Sequence, residues 1–160
     1  MSNRLLKLSE RIHSEVVDLE SVIDRIKEGW QRSKKSGDDY YIDSVALNLH
    51  GFYSGLERIF ELIASSVDSR MPTDKEWHKD LLYQMEQEVT QVRPAVISEK
   101  SRSRLDEFRG FRHVVSNVYT FKFDPEKVEK LATEVPGLFA DISPELLAFA
   151  DFLQQAAQER

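Results

Sequence analysis

Residues 5–34 read LLKLSERIHSEVVDLESVIDRIKEGWQRSK, with apolar side chains at Leu5, Leu8, Ile12, Val16, Leu19, Ile23, Ile26 and Trp30. Steps of three and four place all of these on one face of a helix with about 3.6 residues per turn. A half-buried strand would alternate at every second residue, and this stretch does not. It predicts one long amphipathic helix over about Leu5 to Lys34. Lys34-Lys35-Ser36-Gly37-Asp38-Asp39 then breaks the period with a glycine and an aspartate suited to an N-cap.

Outward from that helix the same period returns. Tyr41, Val45, Leu49, Phe52, Leu56, Ile59 and Ile63 mark a second stripe, widened by Tyr53 and Phe60, on a helix from about Asp39 to Val67. Two long helices with a short join pack as an antiparallel hairpin. Met71-Pro72-Thr73-Asp74 ends that unit. Thr73 and Glu76 have capping-box spacing, which predicts a third helix running to about Val89 with Trp77, Leu81, Leu82 and Met85 on its apolar face. Pro94 disfavours helix at Arg93, so Arg93-Pro94-Ala95-Val96-Ile97-Ser98 reads as an extended connector. Ser98 is placed to cap a fourth helix through about Tyr119. Asp124-Pro125 starts another helix, bearing Val128, Leu131 and Val135, which is expected to end before Pro136-Gly137. Ser143-Pro144-Glu145 then opens a last helix with Leu146, Leu147, Phe149, Ala150 and Leu153. Val118 to Phe123 alternates weakly, compatible with a frayed helix end. The expectation is an all-α chain: an antiparallel bundle of four to five helices, one domain over residues 1–160, without internal repeats.

Composition agrees. Six Gly and five Pro in 160 residues leave few obligatory turns, and 41% hydrophobic residues are enough for a core. There is no Cys, which removes disulfides, thiolate metal ligands and a thiol nucleophile. No apolar run approaches the ~18 residues of a membrane span, and Met1 to Leu8 has no signal-peptide core, so a soluble, cytoplasmic protein is expected. The net charge of −6 argues against the whole surface binding nucleic acid. Arg102, Arg104, Arg109 and Arg112, set against Asp106 and Glu107, form a local basic cluster, which reads either as a solvated helix face or as a local nucleic-acid footprint.

The four histidines, His13, His50, His78 and His113, show no i, i+4 pair and no His-Glu-x-x-His. His78, beside Trp77, reads as structural. No phosphate-cradling glycine loop and no Gly-x-Ser-x-Gly elbow is present. Neither a metal nor a cofactor is expected.

The fourth helix carries Phe108-Arg109-Gly110-Phe111-Arg112-His113-Val114-Val115-Ser116-Asn117-Val118-Tyr119. This run resembles the motif of HEPN ribonucleases: an Arg, four to six residues, a His and, in HepT proteins, a further x-Tyr. Arg112 matches the arginine and Tyr119 the tyrosine, while Asn117 stands at the histidine position. Residues 49–61 (LHGFYSGLERIFE), 77–82 (WHKDLL) and 93–98 (RPAVIS) are also similar to HepT-like proteins, and the similarity runs from roughly residue 5 to 130.

The resemblance implies a HEPN-type bundle and a homodimer in which two copies of the fourth helix meet around a polar cleft. It also implies a partner, a minimal nucleotidyltransferase antitoxin (the MNT type) that in some systems transfers AMP onto the motif tyrosine, here Tyr119. The implied activity is metal-independent endoribonuclease, the toxin side of a toxin–antitoxin pair. Attack by a 2′-hydroxyl needs a proton acceptor, for which His is suited, and a phosphate clamp, for which Arg is suited. Asn117 offers hydrogen bonds but no exchangeable proton at a useful pKa, so an Arg–Asn pair is expected to bind and orient a phosphodiester while cleaving it weakly or not at all. His113 lies one turn before Asn117, with Arg109 a turn earlier, and Arg112, Ser116 and Tyr119 lie on the adjoining stripe. Three readings follow. The first is a ribonuclease with catalytic Arg112, His113 and Asn117, in which His113 is the substitute base and Arg109, Arg112 and Ser116 hold phosphate. The second is a non-catalytic RNA- or nucleotide-binding subunit. The third is a helical subunit whose role is docking on the nucleotidyltransferase.

Overall fold

The stripe from Leu5 to Ile26 is buried along its whole length in the computed structural model, which describes residues 2–159. It forms one face of α1 (Ser2–Ser36). Gly37, at φ +67°, ends the helix and returns its N–H to the Ser33 carbonyl, a backbone conformation that glycine adopts without strain. After this turn α2 (Tyr40–Ser66) runs back along α1 as the expected hairpin. Asp39 precedes α2 but makes no side-chain cap, whereas Asp38 accepts from Tyr40 N–H.

α2 is the centre of the molecule and contacts every other helix: α1, α3 (Trp77–Glu86), α4 (Glu99–Asn117) and α5 (Pro125–Gln158). Phe52 shows why. Its ring meets Phe108 of α4 edge-on at 5.7 Å and Phe139 of α5 at 6.2 Å, joining three helices at one point. α5 lies antiparallel along α1, and Ser9 near the start of α1 donates to the Ala150 carbonyl late in α5. Among the described residues there is no β-strand, only an isolated bridge between Val89 and Arg93.

Several element boundaries differ from the sequence expectation. The largest difference is at the C-terminal end. Pro136 and Pro144 do not divide two helices but lie inside one 34-residue helix, α5. Each proline lacks the N–H for one helical bond and costs ~3 kcal/mol in a helix interior. Between them Leu138, Phe139 and Ile142 are buried, each worth ~1.5–3 kcal/mol. Packing outweighs propensity there. The Thr73–Glu76 capping box does not form. Instead Asp74 accepts from Glu76 N–H, and α3 starts at Trp77 and stops at Glu86, short of Val89. α4 ends at Asn117 rather than Tyr119, and a single 3₁₀ turn, Thr120–Lys122, follows. The caps at Ser98, accepting from Ser101 N–H, and at Asp124, accepting from Glu126 N–H, form as the sequence indicates.

The connector from α3 to α4 is fixed by Arg93. Its side chain is fully buried and bonds Asp68 through Nε (2.6 Å) and Nη2 (2.8 Å), with its remaining donors on the carbonyls of Gln84, Gln87 and Pro94. A buried guanidinium needs this full set of acceptors. The clip holds α3 against the end of α2, and with it one wall of the cleft described next.

Candidate functional site

The four arginines of the fourth helix do not act as one patch. Arg102 pairs with Glu86 of α3 at 2.8 Å and stacks over Tyr83, and Arg104 pairs with Asp141 of α5 at 2.8 Å. Both tie α4 to its neighbours. Arg109 and Arg112, a turn further on, open into a cleft of about 240 Å³ between α3 and α4, lined by Lys75, Glu76, His78, Lys79, Arg109, Arg112 and His113. Four cations face one lining carboxylate there, although the chain as a whole carries −6. An anion is the ligand such a cleft favours.

Beneath this cleft lies Glu57 of α2, only 4% exposed. Its Oε2 accepts from His78 Nδ1 at 2.8 Å, and its Oε1 lies 3.7 Å from Arg112 Nε. Burying a carboxylate is costly unless it is paired and hydrogen-bonded, and here one carboxylate orients two cleft residues. Arg112 Nε also donates to Ser54 Oγ at 3.3 Å, so the contacts that hold this guanidinium run through Nε. Arg109 is held by Asp106, one turn back on α4, at 2.8 Å. The ring of His78 stacks on Trp77 with centroids 3.6 Å apart, which fixes its plane.

The structure separates the motif residues. Arg109, Arg112 and His113 line the cleft. Asn117, the last residue of α4, turns its amide back along the helix, donating to the His113 carbonyl at 2.7 Å and standing 3.4 Å from His113 Nδ1. Ser116 donates to the Arg112 carbonyl and lies 3.4 Å from His50 Nε2. Neither is among the lining residues. Tyr119 follows the helix end in extended backbone, 72% exposed and stacked on Phe121.

Around Glu57 the other titrating groups respond. Burial and the Arg112 cation hold the His50 imidazole below its ordinary value, against the pull of Glu57. Burial and then the negative charge of Glu57 push the Glu61 carboxyl up. The Tyr53 phenol, buried beside Glu57, is pushed far up and stays protonated. Among the described residues no three His, Asp or Glu side chains converge to hold a metal ion. No described helix is long and apolar enough to cross a membrane.

Sequence reasoning missed His78 and Glu57 as site residues. Their contact spans 21 positions and exists only because α3 packs on α2. One signal was present: Glu57 lies four residues after Tyr53 and three before Phe60, so an acid sits on the buried stripe.

No curated protein and no solved structure matches the chain. A family model described as HepT-like protein matches residues 44–153, from the first turns of α2 to the last third of α5, leaving α1 outside. That span starts later and reaches further than the similarity legible in the motifs. It covers more than half of the sequence and contains Glu57, His78, Arg109, Arg112 and His113. The chain therefore belongs to the HepT-like protein family.

Proposed function

We propose that this HepT-like protein is the RNA-directed toxin component of a bacterial toxin–antitoxin pair, acting in the cytoplasm as a metal-independent endoribonuclease. The observation that carries the reading is the cationic cleft in an acidic chain, with Arg112 held at its base by Glu57 and Ser54. A guanidinium fixed through Nε presents its terminal amino groups as a fork, the geometry that matches two phosphate oxygens. Arg109, Lys75 and Lys79 add positive charge along the path of a phosphodiester backbone.

The active form in this reading is a homodimer joined around the end of α4. Phe108 and Phe111 do not serve that contact, being covered within the chain by Phe52 and Phe123. The support for a twofold contact comes from Val114, Val118, Tyr119 and Phe121, all exposed at the end of α4 or just beyond it. The partner is a minimal nucleotidyltransferase antitoxin, and the exposed Tyr119 hydroxyl is the group it would modify. Expression of the chain alone tests the function. The parent arrests growth with RNA decay, and Arg112→Ala abolishes both. Arrest by Arg112→Ala equal to the parent's would contradict the reading.

A further inference from the structure

We infer that His78, oriented by the buried Glu57, is the proton acceptor for attack by an RNA 2′-hydroxyl in this cleft. It takes the place of the histidine that the motif lacks at Asn117, and the inference rests on the ribonuclease reading above. The argument is one of tautomers. The Glu57 carboxylate can only accept, so the hydrogen bond at 2.8 Å keeps the neutral-ring proton on His78 Nδ1. With Nδ1 engaged by Glu57 of α2, the lone pair is on Nε2, the other side of a ring that lines the cleft. This is the form a general base needs.

His113 has the opposite arrangement. The Asn117 amide nitrogen, 3.4 Å from its Nδ1, can only donate, which favours the proton on Nε2. The neutral ring of His113 then offers the cleft a donor rather than a base. Asn117 thus acts on the chemistry through His113, and Glu57 acts through His78; both are positioning residues.

The step balances without a metal. His78 Nε2 takes the 2′-hydroxyl proton as the 2′-oxygen bonds to phosphorus. The bond from phosphorus to the 5′-oxygen breaks, and that oxygen leaves with the electron pair, hydrogen-bonded by His113 Nε2–H; it takes a proton from a solvent water, and the proton held on the His78 imidazolium neutralises the hydroxide left behind. The products are a 2′,3′-cyclic phosphate and a 5′-hydroxyl. Arg112 neutralises the charge that builds on the non-bridging oxygens.

The environment of His78 is mixed in sign. From α2 the carboxylates of Glu57 and Glu61 face it, and from α4 come Arg109, Arg112 and the imidazole of His113. Its own segment contributes Lys75, Glu76 and Lys79.

The test uses the full chain with a single-stranded RNA oligonucleotide in chelator, and its 2′-O-methyl form as a ligand that binds but has no hydroxyl to attack. Single-turnover cleavage is followed against pH, and binding of the 2′-O-methyl RNA is measured beside it. His78→Gln loses ~10²–10⁴-fold in rate, together with the rise of rate with pH that a general base gives, and still binds the 2′-O-methyl RNA. Glu57→Gln keeps a side chain of the same size, and where it folds it moves that pH limb. Cleavage by His78→Gln at the parent's rate overturns the assignment and leaves the ribonuclease reading standing. A parent that does not cleave RNA, whether or not it binds the methylated form, overturns the ribonuclease reading itself, and this inference with it.

Discussion

Glu57 Oε2 accepts a hydrogen bond from His78 Nδ1 at 2.8 Å, joining the middle of α2 to the first turn of α3 beneath a cationic cleft. The same carboxylate lies 3.7 Å from Arg112 Nε through its other oxygen, so one buried side chain contacts both His78 and Arg112. Their relative placement depends on how α3 is seated on α2.

That seating predicts the effect of breaking the Arg93–Asp68 clip. Both side chains are buried, at 0% and 4% exposure, so Asp68→Ala strands a guanidinium without its carboxylate. Loss of one partner of a buried pair costs ~3–5 kcal/mol. Denaturant unfolding should show a loss of that size, and a loss under ~1 kcal/mol would mean that the clip is not what seats α3.

The prolines of α5 give a prediction of opposite sign. Pro144 is exposed inside the helix, so Pro144→Ala restores an N–H and removes the ring's clash without disturbing the core. Stability should rise by up to ~3 kcal/mol. A fall on this substitution would argue that the chain is bent at Pro144 for a reason in its packing.

How far the sequence could be read follows from these same elements. The stripes of α1 and α2 were legible because burial repeats with the helical period. The break at Pro136 and Pro144 was misread because local propensity opposes a helix there, while the burial of Leu138, Phe139 and Ile142 against other helices decides the outcome. In the candidate site, Arg109, Arg112 and His113 could be picked out because they lie within one turn of one another. The division of the arginines could not, because Arg102 and Arg104 find their partners on α3 and α5. The contact of His78 with Glu57 was hidden for the same reason, since it depends on a carboxylate one helix away.

Below neutrality His50 governs part of the stability. Burial and the Arg112 cation hold its folded value below that of the unfolded chain, so the proton binds the unfolded chain more readily. The contribution is intact above ~6.5 and is lost as the pH falls below it. The melting temperature of the parent should drop between pH ~7 and ~5 more steeply than that of His50→Gln. Parallel curves would show that His50 carries none of the acid sensitivity.

Assembly is tested by the exposed apolar residues near the end of α4. Phe121 is 80% exposed and Tyr40 78%, and they share a shallow recess at that end of the bundle. The parent should scatter light as a dimer at micromolar concentration, and Phe121→Ser with Val118→Asp should return it to a monomer with its helical content unchanged. A parent that is monomeric under those conditions would remove the dimer from the account.

The most direct measurement is a histidine-resolved NMR titration with the 2′-O-methyl RNA oligonucleotide. Of the four imidazoles, His78 and His113 line the cleft, while His13 lies on the exposed side of α1. The account predicts that the His78 and His113 signals move together and saturate, that His13 stays where it was, and that Arg112→Ala removes the response. Signals of His78 and His113 that do not move while RNA binds would place the RNA elsewhere and contradict the central claim.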